Sequence, residues 1–148
     1  MNNECIPYFE AAYTQKLTVH FVAAVSGKLF CGPLTSPQSG WAGLAADPLP
    51  AGDGSNMQTA GLPAAAGQVG GVVGWDVAAG GKGPVIRGAG TMLPVTSGAA
   101  CTIGDELQVD AAGKVVPFSA GRKVGKAHST VGAANLDVIV ELYATPAA

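Results

Sequence analysis

At 148 residues the chain suits one domain, able to bury roughly 70% of the surface its unfolded form exposes. A net charge of −2, with eight scattered Lys and Arg, excludes the clustered basic footprint of a nucleic-acid-binding protein. Apolar residues make up 48%, much of it Ala, and charged residues only 12%, about half the usual share, as on a surface that a partner covers.

Residues 1–16 read as an irregular N-terminal arm ahead of the first strand, tipped by Tyr8, Phe9 and Tyr13. Such an arm either docks on a partner or folds back onto its own domain. It has no basic stretch followed by an apolar one, so no secretory signal is expected. No uncharged apolar run reaches membrane-spanning length, so no membrane partner is expected either. In "KLTVHFVAAVSGKLF" Leu17, Val19 and Phe21 alternate with Thr18 and His20, as in a half-buried strand. "SGK" at 26–28 supplies a turn and Leu29–Cys31 resumes the extended run, which predicts a first hairpin.

Residues 32–68 change character. Five prolines and many glycines break any helix and leave no secure strand. The stretch reads as a surface excursion carrying Trp41, with a short helix near "GWAGLAA". Trp41 is either a contact residue or a plug for an Ala-rich core.

From residue 69 short extended segments alternate with turn signals: "GGVVGWDV", "PVIRG", "MLPVT", "ELQVD", "VVPF", "KVGKAH" and "VIVELY". Turn signals at roughly 8–12-residue spacing predict an all-β fold, a small β-barrel or β-sandwich. Pro94 and Pro117 point to edge strands or bulges, because proline donates no ladder hydrogen bond. Trp75, inside "VVGWDV", is expected in the core. Residues 1–16 thus form the arm, and residues 17–148 the β-rich domain that includes the excursion.

Chemistry is sparse. Asp105, Glu106 and Asp110 crowd into "GDELQVD", but the calcium-loop pattern is missing. Strand alternation turns Leu107 and Val109 one way and Glu106, Gln108 and Asp110 the other. Asp105 and Asp110 fall in turns, the second with Gly113 at a position suited to φ > 0. His20 and His128 have no distinctive neighbour in sequence, and no G-x-S-x-G elbow exists. A hydrolase built on His128 is the least favoured reading. Cys5, Cys31 and Cys101 are odd in number and widely spaced, which argues against a disulfide framework or zinc site and for reduced thiols made in a cytoplasm. "GGKGP" and "SGKLF" lack the phosphate-loop frame, and "RGAG" is no dinucleotide fingerprint. No catalytic, cofactor-binding or metal-ligating residue is assigned.

Several motifs in fixed order resemble the capsid-stabilising, or decoration, proteins of tailed bacteriophages, in particular small domains encoded beside major capsid genes. They are G-V-x-x-x-D-x-x-x-G at Gly71–Gly80, "RGAG" at Arg87–Gly90, "PVTSGA" at Pro94–Ala99, "GDELQVDAAGKVVP" at Gly104–Pro117, "GRKVGKA" at Gly121–Ala127 and the closing "VIVELY". "PYFE" at Pro7–Glu10 and "AVSGKLF" also fit. The chain departs from the pattern at "EAAYTQ" and in the length of the 32–68 excursion.

The resemblance implies a structural virion protein without enzymatic activity or cofactor. Its partners would be the major capsid protein and two further copies of itself. It would sit outside an expanded capsid near local three-fold positions, reinforce the head against packaged DNA, and add its arm to a capsid strand. Pro7, Tyr8, Phe9, Tyr13 and Trp41 are then the candidate capsid contacts. The alternative is a head fibre displaying a module that recognises carbohydrate or a host surface, with the Trp41 excursion as its ligand site.

Overall fold

The computed structural model describes residues 4–10, 14–34 and 59–144. Tyr13, Trp41 and the expected "GWAGLAA" helix lie outside them. The described residues form two five-stranded sheets and no helix. The first sheet takes the order β2–β4–β5–β1–β3, from β1 (Gln15–Phe21), β2 (Phe30–Cys31), β3 (Thr59–Ala60), β4 (Gly71–Val73) and β5 (Lys82–Arg87). The second takes the order β6–β10–β9–β7–β8, from β6 (Met92–Thr96), β7 (Glu106–Val109), β8 (Val115–Pro117), β9 (Gly125–Ala127) and β10 (Asp137–Leu142). Strand pairing is antiparallel except for the short parallel β1–β3 contact. The all-β expectation holds.

Both readings of that class are visible in one domain. Gly32, just after β2, donates its N–H to the carbonyl of Gly61, just after β3, at 2.8 Å. The two outer strands of the first sheet therefore meet, and the sheet curls into a small barrel. Its interior is the alternating face of β1, Val19 and Phe21, together with Val73, Val85, Cys31 and Ala60. Val25 and Val77 exchange backbone hydrogen bonds of 2.9 and 2.8 Å across the same cluster. The interior is tight: a Cβ on Gly83 would lie 2.3 Å from a Val77 methyl.

The other face of the first sheet carries Phe30, Val72 and Ile86 and packs on the second sheet. That sheet contributes every second residue of its strands, among them Leu93, Val95, Leu107, Val109, Val138, Val140 and Leu142. Branched aliphatics concentrated on these strands supply what an Ala-rich composition lacks.

The expected first hairpin is not formed. β5 and β4 lie between β1 and β2, and β2 pairs antiparallel with β4, Phe30 opposite Val72. Nor does "SGK" reverse the chain: Val25 already pairs antiparallel with Val77 and Phe30 with Val72, so residues 25–31 run in one direction along 71–77, and barrel closure decides the strand neighbours. Trp75 is not in the core: β4 ends at Val73, and the indole, 51% exposed, sits on the bend that follows. The excursion also yields a strand after all, β3, though one of only two residues.

The "ELQVDAAGKVVP" hairpin forms as expected. Leu107 and Val109 are buried, while Asp110 Oδ1 accepts the N–H groups of Ala112 and Lys114, both at 2.9 Å. Asp105 Oδ2 accepts the N–H of Thr102 at 2.7 Å in the preceding turn. Pro94 and Pro117 lie on β6 and β8, the two outer strands of their sheet.

Gly113 has φ 82°, and a Cβ there would lie 2.4 Å from the Phe30 carbonyl oxygen, where the turn meets β2. Gly104, at φ 94°, has open space around the same position. Gly104→Ala should cost about 1 kcal/mol of left-handed strain and Gly113→Ala roughly 2–3 kcal/mol, strain plus backbone displacement. Paired urea titrations check the difference; equal losses would mean the Phe30 contact is easily relieved.

Candidate functional site: an apolar flank built on the N-terminal arm

β6 is an outer strand, and its outward backbone groups must be satisfied or left to pair with something else. At Met92 the N–H donates to the Phe9 carbonyl (3.0 Å), and the carbonyl accepts from Tyr8 and Phe9 (2.8 and 3.2 Å). At Pro94, which has no N–H, the carbonyl accepts the Cys5 thiol at 3.4 Å. At Thr96 the N–H donates to the Lys28 carbonyl at 2.9 Å. The edge is thus closed by the arm and by Lys28.

Cys5 also donates its N–H to the carbonyl of Gly74, just past β4, at 2.7 Å. The arm therefore straps the first sheet to the second. The Cys5 side chain enters the core between them, where burial pushes its thiol up to about 12, so it stays protonated and is no nucleophile. Burial likewise pushes Cys31 up to about 12 and raises Cys101.

With Cys5 turned inward, Ile6, Tyr8 and Phe9 face solvent, Tyr8 with 69% of its surface exposed. Two clefts share Ile6 as a wall. One, of about 210 Å³, runs from Ile6 and Pro7 to Trp75, Pro84 and Ile86. The other, of about 340 Å³, lies among Ile6, Tyr8, Pro94, Glu4, Lys28 and Asp137. At its base Lys28 Nζ donates to Asp137 Oδ2 at 2.6 Å, tying the β1–β2 connection to the start of β10. Lys28 adopts the left-handed conformation, φ 63°. In that position its carbonyl meets β6 while its ammonium meets β10.

Of the candidate contacts, Pro7, Tyr8 and Phe9 come together on this flank; Tyr13 and Trp41 fall outside the described residues. Ile6 and Trp75 were missed. The signal for Ile6 was its place one residue after a cysteine that must point inward. Trp75 carried one too, since the Gly before it and the Asp after it favour a bend over a strand.

The solvent face of the second sheet holds the polar cluster. Lys126 lies opposite both Glu106 and Glu141. His128 Nε2 meets Glu141 Oε2 at 2.6 Å, so it does have a carboxylate neighbour, brought by β10 rather than by sequence. Tyr143 donates its hydroxyl to Glu106 at 2.7 Å. These are cross-strand pairs of the kind that stabilise a sheet. Among the described residues, no three His, Cys, Asp or Glu side chains are placed to hold a metal ion.

The hydrogen bond to Glu106 pushes the Tyr143 phenol up to about 12 from its usual 10. The protonated phenol is the form favoured on folding, so its contribution is complete below pH 10 and lost as pH rises toward 12. Tyr143→Phe should therefore flatten the fall in stability across that window, read from thermal midpoints at closely spaced pH values. An unchanged slope would assign the alkaline loss to other groups.

No protein-family model matches this chain, and no curated protein matches it. The architecture defines a class nonetheless: an all-β domain in which a curled sheet packs on a second sheet and an N-terminal arm straps the two. A solved structure similar to this chain in fold is the N base of the head fibre gp8.5 of bacteriophage phi29. It is similar over 88% of this chain and 94% of that one, with a TM-score of 0.65 and 16% identity, a likeness of fold.

Proposed function

We propose that this chain is a structural protein of a phage head, attached to the outside of the capsid through the arm flank. The observation that carries the reading is the fold it shares with a head fibre base. The flank supports it: Ile6, Tyr8, Phe9 and Trp75 expose large apolar side chains around its two clefts, beside Glu4, Lys16, Lys28 and Asp137. Tyr and Trp are the side chains that most often anchor an interface.

In this reading the major capsid protein is the partner and the protein acts as a homotrimer near local three-fold positions. Three modest contacts acting together would raise avidity by about 10²–10⁴. Binding after expansion would then reinforce the head against packaged DNA. The protein would be made in the host cytoplasm, need no cofactor and perform no catalysis. Because the arm's main chain is occupied at Met92, its outward side chains rather than its backbone would make first contact.

A second reading is favoured by the same likeness: the domain is the base of a head fibre and carries a recognition function outward. Both readings require capsid attachment. Co-sedimentation with expanded and unexpanded heads tests it, with expanded heads expected to bind and unexpanded ones not. Tyr8→Ser or Trp75→Ser should each weaken binding about tenfold or more. Equal or absent wild-type binding to the two kinds of head would overturn the cement role. A monomer at high concentration would overturn the trimer.

A further inference from the structure

A third cleft, of about 130 Å³, opens where β10 ends, walled by Gln68, Val69, Arg122, Lys123, Val124 and Tyr143. Its two cations are adjacent on the loop that leads into β9, and that loop is held along its length. Gln108 Oε1 accepts the N–H groups of Ser119 and Ala120 at 2.7 and 2.9 Å. Arg122 donates its N–H to the Ala66 carbonyl at 3.1 Å, and Val124 donates to Leu107 at 2.8 Å. Gly121, at φ 87°, permits the crossing, since a Cβ there would lie 2.5 Å from the Ala66 oxygen. Both cations therefore stand on fixed backbone, so little loop entropy is lost when they meet a ligand.

Among the described residues neither cation has a carboxylate partner, because the ion pairs use Lys16, Lys28 and His128. Lys123 rests instead on the Phe118 ring, 5.2 Å from its centroid. On the strands beside the cleft, Lys126 lies opposite Glu106 and Glu141. Asp105 and Asp137 lie beyond them, held by the Thr102 N–H and by Lys28, and Arg87 on the first sheet is tied to Gln15. Arg122, Lys123 and Lys126 against Glu106 and Glu141 leave a positive surplus on a chain whose net charge is −2. A guanidinium beside an ammonium suits a carboxylate, which the planar fork can hold through two hydrogen bonds.

We infer that this cleft takes an aspartate or glutamate side chain of the protein on which the domain docks. The identity of that protein rests on the proposed attachment, and the cleft adds a charged contact to the apolar ones of the arm flank. The two share one end of β10: Phe9 pairs with Met92, Met92 lies opposite Glu141, and Tyr143 follows two residues on.

The full chain is titrated with N-acetylated, C-amidated glutamate, glutamine and lysine while NMR shifts are followed. Glutamate should move the signals of Gln68, Arg122, Lys123 and Tyr143 and bind about fivefold more tightly than glutamine, with lysine weakest. Arg122→Gln and Lys123→Gln, both at exposed positions, should each erase that preference. Lys114→Gln removes the same charge where Lys114 meets Asn135, and should keep it. Heads should bind the Arg122→Gln, Lys123→Gln double variant about tenfold more weakly than the wild type. Equal affinities for the three compounds, shifts confined to other surfaces, an equal loss in Lys114→Gln, or undiminished head binding by the double variant would overturn the inference. Heads that bind the wild type while glutamate shows no preference would overturn it and leave the attachment standing. A glutamate preference without head binding by the wild type would do the reverse.

Discussion

Phe30→Ala should lower the unfolding free energy by about 3–5 kcal/mol, a large part of the 5–15 kcal/mol typical of a domain. Phe21 and Phe30 are the largest of the fully buried side chains among the described residues. Phe21 fills the barrel, whereas Phe30 fills the space between the sheets. The second site has little means of collapsing after truncation. Phe30 sits on β2, held by Val72 on one side and by its own N–H on the Gly113 carbonyl at 2.8 Å on the other. Its neighbours in the core are mostly valines, stiff at χ1 and fixed by ladder hydrogen bonds. The cavity should therefore persist and place the loss in the upper half of the range. Urea unfolding followed by fluorescence and circular dichroism reads it. A loss below about 1 kcal/mol would mean that the sheets re-dock over the gap.

What could be read in advance divides along a physical line. Alternation in "KLTVHF" and "ELQV" marked β1 and β7, because a half-buried strand writes its two faces into the sequence at period two, while the extended run "VIVELY" marked β10. Pro94 and Pro117 marked outer strands, because a missing N–H is a local property. Asp110 and Gly113 marked their turn for the same reason.

Barrel closure could not be read. It depends on Gly32 meeting Gly61 across 29 residues of chain, and nothing near either glycine names the other. The same holds for the pairs His128–Glu141 and Tyr143–Glu106, which exist because of strand register. Trp75 failed for a subtler reason. "VVGWDV" has the composition of a strand, but Gly74 packs its bare Cα against Pro84, where a Cβ would lie 2.6 Å away, and the chain bends there. Cys5 was legible as a reduced thiol, yet that it is buried and pins the arm needed the positions of Pro94 and Gly74.

That last point governs what the arm is for. Removing residues 1–10 should cost about 3–5 kcal/mol, from the lost burial of Cys5, four backbone hydrogen bonds and one thiol hydrogen bond. Deletion would also leave the N–H and C=O of Met92 unpaired on an open strand edge, so the truncated chain should self-associate. Tyr8→Ser combined with Phe9→Ser removes exposed side chains and keeps the main-chain rungs. That variant should stay within about 0.5 kcal/mol of wild type while losing attachment to heads. Sedimentation velocity and urea titration of the two variants separate strap from contact surface. A truncated chain of unchanged stability would show that the strap contributes nothing, and any loss of head binding it suffered could then be assigned to the contact surface alone. The opposite pattern, a destabilised truncation beside a stable but non-binding double variant, is expected. It follows from a seven-residue stretch, 4–10, whose inward side chain holds two sheets together and whose large apolar ones, Ile6, Tyr8 and Phe9, face solvent.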